Sequence, residues 1–200
     1  MKNHSFKSSK RHREYSSKQP VKLIFLYCEG KETEPNYFKS IAKDYKGVKV
    51  FVTGAGKGAK TLIEKAVKAL KQKEKESGDK YDICYVVFDA DGTNIDNPIK
   101  DANANGFQCA WSNECFELWL LLHFEKVSSP IHRGRYAAKL TKHLGREYKK
   151  NDINLYNSVK EQTQRAISNA ETLEKHNQGK SPSQSNPGTT VHRLIKEIIA

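Results

Sequence analysis

The chain has 200 residues, and its composition fits one domain, or one domain with an appended region. Apolar residues make up 36% of the sequence and are concentrated in a few dense runs, which are enough for one core. No apolar run follows the basic N-terminus as it would in a secretory signal, and none reaches the ~20 residues that a bilayer requires. We therefore expect a cytoplasmic protein without a membrane segment.

The balance of charge is strongly basic. The sequence has 35 Lys and Arg residues against 23 Asp and Glu residues, which gives a net charge of +12. Such a charge favours a polyanionic partner, and nucleic acid is the usual one, because each neutralised phosphate releases condensed counterions. The same charge could also serve only solubility. The spacing of the four cysteines matches no zinc-binding pattern.

Strand-like and helix-like segments alternate through the first part of the chain. Residues 1–20, rich in Ser, Lys, Arg and His, are expected to form a disordered basic arm. β-branched and aromatic runs predict strands over 21–28, 49–53, 82–89 and 106–111. Apolar spacing predicts helices over 34–45, 60–76, 94–105 and 114–124. This alternation predicts an α/β domain over residues 21–125, with a mainly parallel sheet flanked by helices.

The last part of the chain, residues 126–200, is expected to be a basic helical region that packs on this core. Its thin apolar stripes predict helices over 133–149 and 158–176. A Gly-, Pro- and Ser-rich loop follows over 179–188, and a short closing helix is predicted over 189–199.

Acidic residues follow two of the predicted strands. Glu29 comes directly after the first strand, where Gly30 permits a turn, and Glu34 follows a few residues later. Asp89 and Asp91 end the third strand, and period-two alternation would direct both to the same side unless the turn has already begun. If the two strands are neighbours, these carboxylates converge, and Mg²⁺ would relieve their repulsion. Alternatively, the aspartates only form an Asx turn and Glu29 is a solvated loop charge.

A second acidic position lies in the apolar segment after the fourth strand. Glu117 is expected in the first turn of the helix over 114–124, with Ser112 or Asn113 as its N-cap. These three residues could form an outer part of a metal site, with Ser112 and Asn113 offering hydrogen bonds. Equally, Glu117 could be only a carboxylate that the helix N-terminus favours.

A glycine-rich segment, GAGKGAKT over 54–61, lies between a predicted strand and a predicted helix and is nearly a P-loop. It has Ala59 where a P-loop requires glycine before its lysine, so the match fails by one residue. Lys57 and Lys60 would then hold a substrate phosphate, with an ATP-binding loop as the alternative.

A cluster of cations follows the core. This predicted basic surface could track a phosphate backbone, or it could be an ordinary solvated helix face. Its members are Arg133, Arg135, Lys139, Lys142 and Arg146.

The acidic pattern, Glu-Gly after the first strand and Asp-x-Asp after a later one, resembles the Toprim domain of topoisomerases, primases and OLD-family nucleases. Four longer strings in the same order resemble the RloB-like family of bacterial defence proteins, of the AbiL type of abortive-infection system. These strings are CEGKETEPNYF (28–38), VVFDADG (86–92), WSNECFELWLLLHF (111–124) and NPGTTVHRLIKEI (186–198).

The resemblance implies a Toprim-like, Rossmann-like α/β domain that holds Mg²⁺ or Mn²⁺ and cuts nucleic acid. Glu29 corresponds to the Toprim glutamate, a metal ligand or general base, and Asp89 and Asp91 correspond to the metal-holding pair. Glu34 fits the second acidic position of OLD-type nucleases, with an offset one residue longer. The resemblance also implies DNA or RNA, transfer RNA included, as substrate, and an AAA- or ABC-type partner ATPase (RloA- or AbiL-like).

Two other functions are compatible with the same residues. One is a subunit that binds nucleic acid or a partner protein without catalysis, and the other is a P-loop-like NTPase.

Overall fold

The computed structural model describes residues 21–45, 48–54 and 59–200. The predicted arm over 1–20 lies outside these residues. Within them, five strands form one sheet, and the first four are mutually parallel while the fifth is antiparallel to the fourth. The strands are β1 (Lys22–Cys28), β2 (Val48–Gly54), β3 (Ile83–Asp89), β4 (Gln108–Asn113) and β5 (Gly188–Thr189).

The sheet has the strand order β2-β1-β3-β4-β5. β2 lies on one side of β1, and β3, followed by β4, lies on the other side of β1. The gap between the carboxyl ends of β1 and β3 is therefore the topological switch point, where open α/β sheets form their binding crevices. The α/β fold with a mainly parallel sheet is confirmed.

Eight α-helices surround the sheet within the described residues. They are α1 (Thr33–Asp44), α2 (Ala59–Ser77), α3 (Asp96–Ala104), α4 (Glu117–Leu122), α5 (Tyr136–Leu144), α6 (Leu155–Val159), α7 (Thr163–His176) and α8 (Val191–Ile199). α2 and α3 pack on one face of the sheet, against a core that includes Phe25 and Val86. The remaining helices share the core on the other face, which includes Leu26, Val87 and Trp119. Alternate residues of each strand therefore enter opposite cores, as the pleat requires.

The predicted helix over 114–124 is shorter than expected, and its predicted cap is wrong. Ser112 and Asn113 belong to β4, while α4 begins at Glu117 and its N-cap, Phe116, makes no side-chain cap hydrogen bond. The strand continues through Ser112 because this residue pairs with Asp89 of β3 on one side and with Thr189 of β5 on the other.

The C-terminal boundaries also differ from those predicted. The helix predicted over 133–149 begins as a 3₁₀ turn at Arg133–Arg135 and ends at Leu144, because Gly145 adopts a left-handed conformation with φ +66°. The loop predicted over 179–188 contributes the start of β5. No helix of the described residues is long and apolar enough to span a membrane.

Candidate metal centre at the carboxyl ends of β1 and β3

The two acidic strand ends lie side by side. β1 and β3 pair directly, with Cys28 opposite Val87, and the Glu29 amide donates a hydrogen bond to the Val87 carbonyl at 2.8 Å. The Asp89 amide in turn approaches the Glu29 carboxylate, with 3.4 Å between Asp89 N and Glu29 Oε2. The condition for convergence of Glu29 and Asp89 is therefore met.

A cavity of about 520 Å³ opens at this edge of the sheet. Six carboxylates line it, together with Thr33, Phe116 and two lysines. The carboxylates belong to Glu29, Glu32, Glu34, Asp89, Asp91 and Glu117. This acidic cavity thus contains every acidic residue that the sequence nominates for the site.

Glu34 is one of the buried carboxylates of the acidic cavity. It lies in the first turn of α1 with 7% of its surface exposed. Its pKa is raised above the usual value: burial is the main cause, and the carboxylates of Glu117 and Glu29 add to the effect. The ammonium of Lys150 and a backbone hydrogen bond oppose that rise only in part.

Asp89 lies beside four other carboxylates of the cavity. Burial raises its pKa well above the usual value, and the carboxylates of Glu34, Glu117, Asp91 and Glu29 raise it further. Four negative neighbours around one carboxyl group disfavour its ionised form unless a cation lies between them.

Asp91 is oriented differently from Asp89. β3 ends at Asp89, and a tight turn follows in which the Thr93 amide donates to the Ala90 carbonyl at 2.8 Å. Asp91 adopts a positive φ of 49° in this turn, so period-two alternation does not extend to it. Its half-exposed carboxylate forms an ion pair with the guanidinium of Arg133.

Glu117 lines the same cavity and has its own partners. It is 5% exposed, and its Oε1 accepts a hydrogen bond from the Tyr148 hydroxyl at 3.1 Å and lies 3.2 Å from Lys150 Nζ. Burial alone would raise the pKa of Glu117, but Lys150 and hydrogen bonds, including one with Cys115, lower it below the usual value. This lowered pKa favours the ionised form of Glu117.

Ser112 and Asn113 do not line the acidic cavity. The Ser112 hydroxyl forms a 3.0 Å hydrogen bond with the hydroxyl of Thr189, and the Asn113 amide points to the Ser183 carbonyl at 3.5 Å. These bonds tie β4 to the C-terminal segment, and the structure does not bring the two side chains to Glu117.

Lys150, which lines the cavity, and Tyr148, which contacts Glu117, are partners of the carboxylates that the acidic pattern did not identify. They lie in the irregular segment between α5 and α6, after Leu144, where the helix predicted over 133–149 has already ended. The Thr33 hydroxyl donates to the Lys150 carbonyl at 2.8 Å across 117 positions of sequence, and this bond holds the segment against the start of α1. Only the folded chain brings this cation to the carboxylates.

The predicted basic surface is partly neutralised. Three of its five members form ion pairs: Arg133 with Asp91, Lys139 with Glu125 at 2.8 Å, and Arg146 with Asp152 at 2.5 Å. Arg135 and Lys142 are exposed, and no carboxylate of the described residues forms an ion pair with them.

The glycine-rich segment remains untested. Lys57 lies outside the described residues, and the side chain of Lys60, at the start of α2, is not among those described. Their role as phosphate ligands stays a prediction.

The donor set of the acidic cavity matches a hard divalent cation. Carboxylate oxygens are the ligands that Mg²⁺ and Mn²⁺ prefer, and the mutual repulsion around Asp89 is what such a cation relieves. Among the described residues, no three His, Cys, Asp or Glu side chains are already arranged as a ligand group. A cation would therefore have to draw the carboxylates together, in competition with Arg133 and Lys150.

One comparison with known proteins gives a match. A family model described as RloB-like protein matches residues 24–198, from within β1 to the last turn of α8. No curated protein and no solved structure matches the chain significantly.

Proposed function

The chain belongs to the RloB-like protein family, and from that premise we propose that it is a nuclease dependent on Mg²⁺ or Mn²⁺. It would hydrolyse the phosphodiester bonds of nucleic acid in bacterial defence against phage, in an abortive-infection system. The observation that carries this proposal is the acidic cavity at the switch point of the sheet, where Asp89 is surrounded by four other carboxylates.

The proposed ligands are Glu29, Asp89 and Asp91, with Glu34 beside them, as in the Toprim-type resemblance. A bound cation would polarise a phosphoryl oxygen and lower the pKa of water. By the resemblance, Glu29 would hold the cation or, alternatively, act as the general base that accepts a proton from an attacking water. Glu117, held ionised by Lys150, would belong to the outer part of the site.

Substrate binding is proposed to use two groups of basic residues outside the acidic cluster. Arg135 and Lys142 are exposed cations that would contact phosphates, and Lys57 and Lys60 would contact further phosphates from the glycine-rich segment. The substrate is DNA or RNA, transfer RNA included. By the resemblance, we propose an AAA- or ABC-type partner ATPase and a cytoplasmic location.

One observation favours a second candidate, a nucleic-acid-binding or adaptor subunit without catalysis. Arg133 and Lys150 already neutralise Asp91 and Glu117, so part of the acidic cavity is balanced by the chain's own cations. Such a subunit would bind nucleic acid in a salt-sensitive way and leave it intact with every metal.

The test is cleavage of labelled DNA, RNA and transfer RNA by the full chain, with Mg²⁺, with Mn²⁺ and with EDTA. We expect metal-dependent cleavage that Glu29→Gln and Asp89→Asn each reduce at least about a hundredfold, as loss of transition-state stabilisation does. The matched controls are Glu64→Gln on α2 and Asp101→Asn on α3, two exposed carboxylates outside the cavity. If the cavity variants cut as well as these controls, the assigned site is wrong.

A further inference from the structure

A second cavity, larger than the acidic one, lies along the edge of the sheet formed by β4 and β5. Its volume is about 850 Å³, within the range typical of small-molecule sites. α3 lines one side of it, and the end of α7, the segment 177–190 and Arg193 of α8 line the other. None of its lining residues belongs to the acidic cavity.

We call this second cavity the edge groove. The segment 177–190, which closes it, is held by several hydrogen bonds. The Asn177 side-chain amide donates to the Pro187 carbonyl at 2.8 Å. The Ser183 amide donates to Asp96 Oδ1 at 2.9 Å, and the Ser183 hydroxyl accepts from the Ile95 amide at 2.9 Å. The first bond closes the segment on itself next to the end of α7, and the other two attach it to the start of α3. The groove is therefore preformed, and a ligand would not have to order it.

The inside of the edge groove combines an apolar wall with neutral hydrogen-bonding groups. Ile99, Cys109 and Trp111 provide the apolar wall. Asn103, Gln108 and Gln178 provide side-chain amides, which offer both donors and acceptors. An aromatic base with donors and acceptors on its edge suits such a lining.

The charges of the edge groove favour an anion. Its two acids are engaged by cations, Glu171 with Lys196 at 2.9 Å and Glu174 with Arg193. Lys175 and Lys180 are exposed at the rim, and no carboxylate of the described residues forms an ion pair with either. Lys180 Nζ donates one hydrogen bond to Asn177 Oδ1 at 3.0 Å, which leaves its other N–H donors for a ligand. An anionic group that enters the groove would therefore find donors on two ammonium groups.

Residues of the terminal string NPGTTVHRLIKEI line the edge groove, and none of them lines the acidic cavity. Gly188, Thr189, Thr190 and Arg193 all line it. The Thr190 hydroxyl accepts from the Trp111 amide at 3.1 Å and donates to the Cys109 carbonyl at 2.9 Å. The string thus completes the edge of β4 at the base of the groove.

We propose that the edge groove is a nucleotide-binding site, with the base against the wall of Ile99, Cys109 and Trp111 and the phosphate at Lys175 and Lys180. The nucleotide is either free or the terminal nucleotide of a nucleic-acid strand. This site is separate from the acidic cavity, and the proposal does not depend on cleavage there.

The chain provides its own reporter for this site. Of its two tryptophans, Trp111 lines the groove, while Trp119 is fully buried in the core of the opposite face. We would label the full chain with 5-fluorotryptophan and titrate it with AMP, ATP, adenosine, inorganic phosphate and a 5′-phosphorylated dinucleotide. EDTA is present throughout, so that no metal-dependent cleavage takes part.

We expect a saturable shift of the Trp111 fluorine resonance with AMP, ATP or the dinucleotide, without a shift of Trp119. A tighter dissociation constant for ATP or AMP indicates a free nucleotide, and a tighter one for the dinucleotide indicates a strand terminus. Lys175→Ala with Lys180→Ala should weaken binding about tenfold, while the charge-matched pair Lys68→Ala with Lys71→Ala on α2 should not. Asn103→Phe, which narrows the groove from its exposed side, should also weaken binding.

Asp89→Asn separates the two proposals, since it should abolish cleavage and leave the Trp111 titration unchanged. The proposal is overturned if no nucleotide shifts Trp111 at millimolar concentration. It is also overturned if the two lysine pairs give equal dissociation constants, because the rim cations then contribute nothing.

Discussion

The carboxylate of Glu34 lies over Gly30, where a Cβ on that residue would collide with it. Gly30 follows Glu29, one of the proposed metal ligands, and Glu34 is buried in the first turn of α1. The glycine therefore does more than permit a turn after β1: it leaves the space in which the second acidic residue of the cavity lies.

Gly30→Ala should displace the Glu34 carboxylate while leaving the sheet intact. We expect nuclease activity to fall by about a hundredfold, the cost of a misplacement of roughly 1 Å at a reacting centre. The measurement is a single-turnover cleavage rate, with circular dichroism to confirm the fold.

A double-mutant cycle with Glu34→Ala provides the control for that change. Because the collision needs the Glu34 carboxylate, Gly30→Ala should have little further effect in the Glu34→Ala background. If the losses of cleavage rate from Gly30→Ala and Glu34→Ala instead add in full in the double variant, the alanine at position 30 acts through the backbone.

The stability of the metal-free protein should depend on the ionisation of Asp89. Its pKa is raised in the folded state by burial and by neighbouring carboxylates. The corresponding stability is fully present below the unfolded pKa of about 3.9 and is lost as the pH rises through the folded pKa. Asp89→Asn should therefore gain in melting temperature relative to wild type as the pH rises from about 4 in EDTA.

Melting curves across that pH range, with Asp101→Asn as the exposed control, measure this effect. Parallel curves for wild type and Asp89→Asn would contradict the raised pKa. Divalent metal should narrow the difference at neutral pH, because it binds the folded wild type and stabilises it.

The hydroxyl of Tyr148 should contribute to stability through Glu117. Tyr148→Phe removes a donor to a buried, ionised carboxylate, and such losses cost about 1–3 kcal/mol. Urea unfolding at pH 7 measures the change in the free energy of unfolding. In the Glu117→Gln background, Tyr148→Phe should lower the free energy of unfolding by a smaller amount. An equal loss in both backgrounds would show that the effect comes from packing of the Tyr148 ring.

Nucleic-acid binding should depend on salt through the exposed cations. Arg135→Ala and Lys142→Ala should each lower the slope of log affinity against log salt by about 0.9, one phosphate contact each on duplex DNA. Lys139→Ala should change the slope less, because Lys139 is already paired with Glu125. Equal slopes for all three variants would contradict a role for the exposed cations in particular.

The strands and the acidic cluster could be predicted because both have local signals. β1 and β3 are continuous runs of β-branched and aromatic residues, typical of strands buried on both faces. Once β1 and β3 are predicted, Glu29 and Asp89 can be placed at their carboxyl ends. Residues at the carboxyl ends of neighbouring parallel strands share an edge of the sheet. The sequence therefore contained the acidic core of the cavity.

The partners of these carboxylates could not be predicted from local patterns. Lys150 and Tyr148 reach Glu117 from an irregular segment, 31 positions away in the case of Tyr148. β5 has only two residues, too few for any periodicity, so the continuation of β4 through Ser112 had no signal. Asp91 does not follow the period-two alternation of β3, because a turn begins at Ala90 and changes the direction of the backbone.

The most direct test of the proposed metal site is a crystal structure of the full chain with Mn²⁺, with the ion located by its anomalous scattering. We expect an anomalous peak in the acidic cavity, with oxygen ligands from Glu29, Asp89 and Asp91. In that structure the Asp91 carboxylate should no longer pair with Arg133. An empty cavity at saturating Mn²⁺, with the Asp91–Arg133 and Glu117–Lys150 pairs unchanged, would contradict the proposed metal site.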